Sequence, residues 1–348
     1  MTSPTTLDTA SIRKGEELDV TALSAYLADK LEGAAAGLTV EQFPGGHSNL
    51  TYLLRTPARE FVLRRGPLGP VAPKAHDMAR EYRVLQAVHP FFRPAPEVFH
   101  LCQDPAVLGA VFFVMERLRG IIVRDSIPPA LAAFADYEHR VSQGFIECLV
   151  QLHSVDIEKH GLTALGKPVG FLDRQVRGWF ERWQRSKTED VPAMDGVMRW
   201  LGDNMPVSPP ATLVHNDFKL DNVMINAYDP GRIEAVLDWE MCTVGDPLVD
   251  LGLILCYWSQ PSDPGGSKAS LTLAPGWFTP DQVIETYAAQ TGRDVSQIRY
   301  YQVFAVFKLA VVLQQIYYRF YRGQTQDQRF RHFDQRVRNL INQAVALI

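Results

Sequence analysis

The stretch that decides the fold is Leu213–Met224, LVHNDFKLDNVM, followed after a turn by Ile233–Glu240, IEAVLDWE. The apolar part of each segment predicts a short β-strand, and polar residues follow directly after each strand. The first strand leads into a loop that carries Asp217 and then Asn222, whereas the second strand ends on Asp238. Two adjacent strands of this kind would place the three polar side chains together.

These three residue types suit the transfer of a phosphoryl group. Phosphoryl transfer from a nucleotide needs little covalent chemistry beyond orienting the acceptor oxygen and neutralising phosphate charge. Carboxylate and amide oxygens are the hard ligands that Mg²⁺ takes together with phosphate oxygens. Asp217 or Asn222 alone is more typical of a hydrogen-bonding turn. The joint pattern, with a following Asp238 at a strand end, favours a kinase-like site instead.

The same residues resemble the aminoglycoside phosphotransferase and choline kinase superfamily, whose members are related to protein kinases. HNDFKLDN is similar to the catalytic-loop pattern H-x-D-x-x-x-x-N, and DWE stands where protein kinases carry D-F-G. The resemblance implies that Asp217 is the catalytic base toward the acceptor hydroxyl. It also implies that Asn222 and Asp238 are the magnesium ligands, with Asp238 as the principal one.

Four further polar residues have supporting roles by this resemblance. His215 opens the HNDFKLDN loop, His153 ends the predicted helix in LVQLHSVD, and the segment TVGDPLVDLGLIL contains Asp246 and Asp250. In the resembled family, aspartates at such positions brace the catalytic loop and do not react. For both aspartates a helix cap and a buried brace are also the simplest structural interpretation.

The candidate phosphate-binding loop lies in PGGHSN, with Gly45, Gly46, Ser48 and Asn49. Glycines let the backbone approach a phosphate closely, and the free N–H groups and the Ser48 hydroxyl can donate hydrogen bonds. Taken alone, the motif is more typical of a plain hairpin turn. Its position one strand before FVLRR favours nucleotide binding.

The segment FVLRR, residues 61–65, predicts a strand whose arginines stand where protein kinases place a phosphate-binding lysine. Arginine can pair with phosphate bidentately, and choline-kinase-like enzymes resemble this chain in using it. Because side chains alternate along a strand, only one of the two arginines can face the nucleotide. We assign Arg64, with Arg65 as the alternative, and Glu81 in AREYRVL as its ion-pair partner. A solvated helix position paired with a neighbour is the other interpretation of Glu81.

The segment 111–120, VFFVMERLRG, predicts an apolar strand that runs into a charged link. In the resembled fold this is the hinge, where backbone groups near Glu116 and Leu118 would bind adenine between apolar side chains. Because backbone atoms do the recognition, a strand and linker without a ligand is an equally good interpretation. The implied cofactors are ATP and Mg²⁺, and the residues do not distinguish ATP from GTP.

The periodicity of apolar residues changes along the chain. Up to residue 116 the pattern predicts strands near 38–43, 50–54, 60–63, 97–102 and 111–116, with helices near 20–31 and 75–88. Beyond Gly120 it predicts short strands within 212–240 and long helices near 129–153, 171–187, 280–290, 295–321 and 327–346.

We therefore predict an α+β, two-lobed, protein-kinase-like fold. Residues 1–16 form a flexible tail, and residues 17–116 form a nucleotide-clamping lobe with a small antiparallel sheet and one internal helix. Residues 117–348 form a larger, mostly helical lobe that carries catalysis and acceptor binding.

Composition excludes several classes of protein. The 348 residues include 35 Lys and Arg against 39 Asp and Glu, with 46% hydrophobic residues, which is typical of a globular enzyme without a nucleic-acid-binding charge pattern. The four cysteines lie far apart, so neither a zinc site nor a disulfide framework is predicted, and a cytoplasmic location fits best. The first residues lack a signal-peptide pattern and no membrane span is expected. The partner is thus a small molecule, and the oligomeric state is left open.

The acceptor is harder to infer than the reaction. The segment from Ser259 to Ile348 contains ten Lys and Arg and six Asp and Glu, a local net charge of +4 in a chain of net charge −4. A basic segment is a poor match for polycationic aminoglycosides, so an anionic or uncharged hydroxylated acceptor fits better. Within residues 35–325, LDWEMCTVGDPLVDLG and REYRVLQAV most resemble phosphotransferase domains fused to acyl-CoA dehydrogenases, which suggests a hydroxyacyl or hydroxy-acid acceptor.

The sequence thus predicts a Mg·ATP-dependent kinase acting on a hydroxyl of a small molecule. Two alternatives remain at this point. The first is a kinase-fold protein that binds nucleotide without turnover. Arg64, at the position where protein kinases carry lysine, is the feature that favours this alternative. The second is a metal-dependent phosphohydrolase with His215, Asp217 and Asp238 as ligands that activate water.

Overall fold

The computed structural model describes residues 8–44, 49–66, 77–258 and 271–348. The chain forms two compact units. The first comprises Met1–Arg119 and the short return segment Ala235–Glu240, and the second comprises Gly120–Glu234 and Met241–Ile348. Asp238 therefore belongs to the first unit, although it follows Asp217 and Asn222 closely in the sequence. The predicted α+β class is confirmed, because the first unit contains a sheet and the second is mainly helical.

The first unit is built on a five-stranded antiparallel sheet. Its strands lie in the order β1-β2-β3-β5-β4 and span β1 Thr39–Gln42, β2 Leu50–Arg55, β3 Glu60–Arg65, β4 Val98–Cys102 and β5 Phe112–Glu116. The central strand β3 pairs along its length with β2 and β5, so Arg64 lies opposite Thr51 on one side and Phe113 on the other. The middle of the sheet therefore fixes the position of Arg64.

In the described part of the first unit three helices accompany the sheet: α1 Val20–Leu27, α2 Met78–Val88 and the one-turn α3 Pro105–Leu108. Leu23 and Leu27 of α1 pack in a core with Phe61 and Leu63 of β3. Helix α2 packs instead against β4 and β5, and it is capped by Asp77, whose carboxylate accepts a hydrogen bond from the amide of Arg80. Alternate residues of β3 thus face different helices.

Among its described residues, the second unit contains eight further helices: α4 Pro129–Ala132, α5 Tyr137–His153, α6 Phe171–Ser186, α7 Pro192–Asp203, α8 Leu248–Trp258, α9 Pro280–Thr291, α10 Ile298–Tyr321 and α11 Phe333–Ala346. Helix α10 lies at the centre and packs against α6, α7, α8 and α11. It is also the one helix among the described residues that is long and apolar enough to cross a membrane, but 56% of its apolar window is buried inside the protein. A core helix of a globular protein has the same length and composition.

Four short strands form two small sheets. They are β6 Thr212–Val214, β7 Val223–Ile225, β8 Ile233–Val236 and β9 Thr243–Gly245, with β6 paired to β9 and β7 paired to β8. The loop between β6 and β7 contains Asp217 and Asn222, and Asp238 follows the end of β8. In both segments the polar residues follow the end of a strand, as predicted. The two strands are not neighbours in one sheet, however, because β6 pairs with β9 and β8 pairs with β7.

Three helices were not predicted, α3, α7 and α8, and one predicted helix was too long. The four residues of α3 are too few to show a helical period. Helix α8 is buried on almost every side, so its apolar residues show no period that distinguishes it from a strand. Helix α7 begins at Pro192, which is favourable in the first turn of a helix. The predicted helix 129–153 is interrupted between α4 and α5, where Asp136 adopts a left-handed conformation with φ 53°.

Candidate active site

The loop between β6 and β7 holds three polar side chains in contact, which we call the loop cluster: Asp217, Lys219 and Asn222. The Asn222 side-chain amide Nδ2 donates to Asp217 Oδ2 at 2.8 Å and to the Asp217 carbonyl at 2.9 Å. Lys219 Nζ lies 3.2 Å from Asp217 Oδ2. Because the nitrogen of Asn222 faces Asp217, its amide oxygen is left to face a different group. The Asp217 carboxylate is thereby fixed without being fully buried.

The backbone that leads into this loop is clamped at Asn216. Asn216 has φ 64°, a left-handed conformation that is uncommon for residues other than glycine. Its amide donates to Asp250 Oδ1 at 2.6 Å, its carbonyl accepts from Lys308 Nζ at 3.0 Å, and its Nδ2 donates to the Met241 carbonyl at 3.1 Å. Such a conformation persists only where the surroundings hold it, which is common at functional sites.

Asp250, on α8, is the buried brace of the loop. Its Oδ2 accepts the amide of His215 at 2.6 Å and lies 3.3 Å from His153 Nε2, in addition to the Asn216 contact. Burial alone would raise the pKa of Asp250, but the hydrogen bonds and charge from His153 and His215 outweigh it and lower the pKa. His153 Nδ1 is hydrogen-bonded in turn to the Tyr287 hydroxyl at 2.8 Å.

Replacement of Asp250 by alanine is expected to lower the free energy of unfolding by about 3 kcal/mol or more, because two buried amides lose their acceptor. Urea denaturation of the variant against the wild type would measure this loss. Asp195→Ala, at an exposed position of α7, is the control and should change stability by less than about 0.5 kcal/mol. Equal stability of the two variants would contradict the role of Asp250 as a brace.

Asp246 occupies a second buried position beside α8. Its Oδ1 accepts the amide of Leu248 at 3.0 Å, as a helix cap does, and its Oδ2 accepts the Tyr301 hydroxyl at 2.7 Å. Burial raises the pKa of Asp246 above its ordinary value, although these hydrogen bonds act in the opposite direction. The structure therefore places Asp246 in a network of buried hydrogen bonds, apart from the loop cluster.

A separate set of charged residues lies in the first unit, and we call it the arginine cluster: Arg64, Glu81 and Asp238. Arg64 NH2 donates to Asp238 Oδ1 at 2.8 Å, and Arg64 Nε lies 3.2 Å from Glu81 Oε2. Burial raises the pKa of Glu81 to about 7 although Arg64 acts to lower it. Asp238 has φ 66° and keeps about a third of its side chain exposed, so its carboxylate is accessible.

Strand alternation separates the two arginines of β3. Arg65 points to the face that carries α1, where its guanidinium donates to the Leu108 carbonyl at 2.9 Å and to the Tyr52 hydroxyl at 3.3 Å. Arg64 points to the other face, where α2 presents Glu81. The structure thus brings Arg64, and not Arg65, into contact with Glu81 and Asp238.

The predicted nucleotide-contact residues are only partly covered by the structure. Gly45, Gly46 and Ser48 lie outside the described residues. Asn49 is buried, and its Nδ2 donates to Glu240 Oε2 at 3.2 Å, two residues from Asp238.

The predicted hinge residues already take part in hydrogen bonds of the first unit. The Glu116 amide donates to the Glu97 carbonyl at 2.8 Å. The Leu118 carbonyl accepts from Arg117 NH1 at 2.7 Å. Any adenine contact at these two positions would therefore use the remaining backbone groups.

Sequence reasoning missed Lys219, which belongs to the loop cluster, and two residues beside the cluster, Tyr257 and Lys308. Lys219 lies within the quoted motif, but Tyr257 and Lys308 are about 40 and 90 positions away, on α8 and α10. Burial raises the pKa of Tyr257 well above its ordinary value, and the charge of Asp217 and a hydrogen bond to that carboxylate act in the same direction. Lys308 sits in an apolar helix, where a single lysine was the available signal.

Lys308 is almost completely buried, and burial lowers its pKa to about 8 against the attraction of Asp217 and Asp250. Arg182 lowers the pKa further, whereas Cys256 raises it. Since the unfolded chain binds more protons than the folded protein between pH 8 and 10.5, the contribution of Lys308 to stability rises with pH across this window.

The free energy of unfolding of the wild type, relative to Lys308→Met, should therefore increase by about 3 kcal/mol over that window. Denaturant unfolding of both proteins at several pH values measures this difference. A difference that does not change with pH would contradict a perturbed lysine.

A pocket of about 280 Å³ opens beside the loop cluster, within the second unit. We call it the loop pocket. Its aromatic wall includes Phe145, Phe218 and Tyr257, and its charged side chains include Lys219 and Asp221. It mixes apolar and charged surface, which is typical of sites for small organic molecules.

The chemistry of the available ligands fits magnesium. The Asp238 carboxylate is accessible and the Asn222 amide oxygen is turned away from Asp217, and both are hard oxygen donors. Among the described residues, no group of three or more His, Cys, Asp and Glu side chains could hold a metal ion by itself.

Comparison with known proteins gives a consistent result. The profile of the phosphotransferase enzyme family matches residues 39–301. Acyl-CoA dehydrogenase family member 11 of Rattus norvegicus is 35% identical over 327 residues, which are 91% of this chain and 42% of the relative. The chain thus spans about two fifths of the length of that relative.

Solved structures agree with the profile. A Ralstonia eutropha protein provisionally named an aminoglycoside phosphotransferase has a TM-score of 0.81 at 31% identity, with 95% of this chain and 98% of that chain covered. A thermostable variant of aminoglycoside phosphotransferase APH(4)-Ia, in ternary complex with AMP-PNP and hygromycin B, shares the fold at a TM-score of 0.59 and 18% identity, covering 94% and 98%. The predicted resemblance and kinase-like fold are confirmed, and the chain belongs to the phosphotransferase enzyme family.

Proposed function

We propose that this protein is a Mg·ATP-dependent kinase that phosphorylates a hydroxyl group of a small molecule. The observation that carries the proposal is the loop cluster, in which Asn222 holds the Asp217 carboxylate in place on a backbone clamped by Asp250. A fixed, partly exposed carboxylate can accept a proton from an alcohol. Family membership supports the same class of reaction, and a solved relative binds AMP-PNP.

Five residues of the loop cluster and the arginine cluster have a role in the proposed reaction. Asp217 accepts the proton of the acceptor hydroxyl while the oxygen of that hydroxyl bonds to the γ-phosphorus of ATP. At the same time the bond between the γ-phosphorus and the bridging β-phosphate oxygen breaks, and ADP leaves. Asn222 and Asp238 would each offer an oxygen ligand to magnesium, which would neutralise charge on the phosphates. Arg64, positioned by Glu81, pairs with phosphate oxygens.

The nucleotide-binding part of the proposal rests on the first unit. Backbone amides of Gly45 and Gly46, with the polar side chains of Ser48 and Asn49, would donate to the phosphates. Backbone groups near Glu116 and Leu118 would bind the adenine. In this proposal residues 17–116 clamp the nucleotide, and residues 117–348 supply catalysis and the acceptor site. Of the predicted flexible tail, residues 1–16, the first seven lie outside the described residues, whereas Ala10 is joined to Gln42 by two backbone hydrogen bonds.

The acceptor is proposed to be a hydroxy acid or hydroxyacyl compound. The name of the rat relative associates this type of sequence with acyl-CoA chemistry, although the chain matches only part of that relative. The net positive charge of residues 259–348 favours an anionic acceptor over a polycationic one.

The two alternatives make different use of the same residues. The phosphohydrolase needs His215 as a metal ligand, but this side chain is fully buried, its Nδ1 accepts the Asp217 amide at 3.3 Å, and its ring packs against Phe218. A binding protein without turnover would keep the arginine cluster but need no fixed base. The arrangement around Asp217 favours the kinase over both.

An ATP-consumption screen tests the proposal directly. Hydroxy acids, hydroxyacyl-CoAs, amino alcohols and aminoglycosides would be supplied with Mg·ATP, and phosphorylated product would be detected by ³¹P NMR. We expect ADP formation that depends on an acceptor from the first two classes. ATP binding without product from any class would support the non-catalytic alternative, whereas phosphatase activity that needs metal but no ATP would support the hydrolase.

A further inference from the structure

Helices α6 and α10 bring two cations to one indole ring. The Arg182 guanidinium lies 4.4 Å from the centre of the Trp179 ring, and Lys308 Nζ lies 5.7 Å from it. Trp179 and Lys308 are buried, whereas Arg182 is exposed at the surface. We call these three residues the cation cluster. The exposed Arg182 and the buried Lys308 both lie near the ring of Trp179.

The cation cluster is rich in donors that the described residues do not satisfy. The indole N–H of Trp179 is buried without a hydrogen-bond acceptor among them. Lys308 carries three donor hydrogens, and its one hydrogen bond to a described residue goes to the Asn216 carbonyl. The nearby carboxylate of Glu181 is paired with Arg185 at 2.9 Å. Buried hydrogen-bond donors without acceptors lower the stability of the folded protein, so an anion bound at the cation cluster would be stabilising.

The cation cluster lies next to the proposed catalytic base. Lys308 is bonded to the carbonyl of Asn216, the residue directly before Asp217. The charge of Asp217 also acts on Lys308, so an anion held by Lys308 would lie a short distance from a hydroxyl placed at the Asp217 carboxylate. This distance suits a short molecule that carries both groups.

We propose that Trp179, Arg182 and Lys308 form a subsite for the carboxylate of the acceptor, which is therefore a short hydroxy acid. The inference rests on the proposed function for the hydroxyl end of the molecule, but the carboxylate contact can be tested without turnover. Arg182 attracts the anion at the surface, and Lys308 with the Trp179 N–H binds it. A polycationic acceptor would meet like charge here, which disfavours it.

The indole N–H of Trp179 provides a direct probe. In ¹H–¹⁵N spectra of the full chain, which has six tryptophans, the signal of Trp179 is the one lost in Trp179→Phe. The protein would be titrated at constant ionic strength with 2-, 3- and 4-hydroxybutyrate, and separately with the matched butanediols, which lack the carboxylate. We expect the hydroxybutyrates to shift the Trp179 signal and the diols to leave it unchanged.

Variants assign the contact to the cation cluster. Arg182→Gln and Lys308→Met should each weaken hydroxybutyrate binding by about tenfold or more, because each removes a charge-assisted contact. Arg177→Gln, on the same helix and mostly exposed, should bind as the wild type does. Because Arg182 is exposed, its variant keeps the test valid even if Lys308→Met does not fold.

The outcomes separate this inference from the proposed kinase function. No shift with any hydroxybutyrate, an equal shift with the diols, or equal weakening by Arg177→Gln would overturn the subsite. If the diols were phosphorylated as efficiently as the hydroxy acids, the subsite would be wrong and the kinase function would stand. If hydroxybutyrates bound as expected but were never phosphorylated, the subsite would stand and the kinase function would fail.

Discussion

Replacing Asp217 by asparagine is expected to lower the rate of phosphoryl transfer by about 10³-fold or more, because the base that accepts the acceptor proton is lost. The asparagine oxygen can still accept the hydrogen bond that Asn222 donates, so the loop should keep its structure. Mg·ATP binding should therefore stay close to that of the wild type. Single-turnover kinetics and calorimetric titration with Mg·AMP-PNP measure the two quantities separately.

The matched control is Asp195→Asn, the same chemical change at an exposed position of the same unit. It should retain full activity and full nucleotide binding. If Asp217→Asn kept more than about a tenth of wild-type activity, Asp217 would not be the base. If it lost nucleotide binding as well, its role would be structural.

Replacement of Asp238 is expected to act at the earlier step, the binding of the metal–nucleotide complex. Loss of a principal magnesium ligand should weaken Mn·ADP binding by at least about 10–100-fold. Mutation of a residue that only hydrogen-bonds to a metal ligand already weakens metal binding by this factor. Asp238→Ala removes the ligand but also strains a left-handed backbone with φ 66°. Asp238→Asn tolerates that conformation and removes only the charge, so agreement of the two variants separates the metal contact from strain.

Manganese binding measured by electron paramagnetic resonance, with and without ADP, is the readout for both variants. Asp29→Ala, at a mostly exposed position of the first unit, is the control and should bind as the wild type does. Wild-type affinity in both Asp238 variants would remove Asp238 from the proposed metal site. Weakened binding together with lowered thermal stability in Asp238→Ala alone would point to backbone strain.

The elements of the fold were predictable where their period was clear. Amphipathic α2 and α6 show a helical period, so their type follows from the sequence. Strands β2 and β3 were predictable for another reason, as short apolar runs between turn residues. Helix α8 could not be recognised in this way, because a helix buried on all sides has no polar face to give a period.

The sequence identified several candidate site residues, but it could not show how their side chains lie relative to one another. The choice between Arg64 and Arg65 stayed open, because alternation shows that they face opposite ways without showing which face carries Glu81. Lys308 and Tyr257 could not be predicted at all. Their contacts with the loop depend on how α8 and α10 pack, and nothing local in the sequence encodes that packing.

By itself, then, the sequence determined the polar residues of the two strand-end segments, their spacing, and the resemblance to a kinase that follows from them. These are local properties, set by strand length and by the residues that come directly after each strand. Tertiary structure decided which arginine meets Glu81 and Asp238, which aspartate clamps the loop, and which cations lie beside the base. Those outcomes depend on contacts between residues far apart in the chain, and only the packing of the helices and strands brings them together.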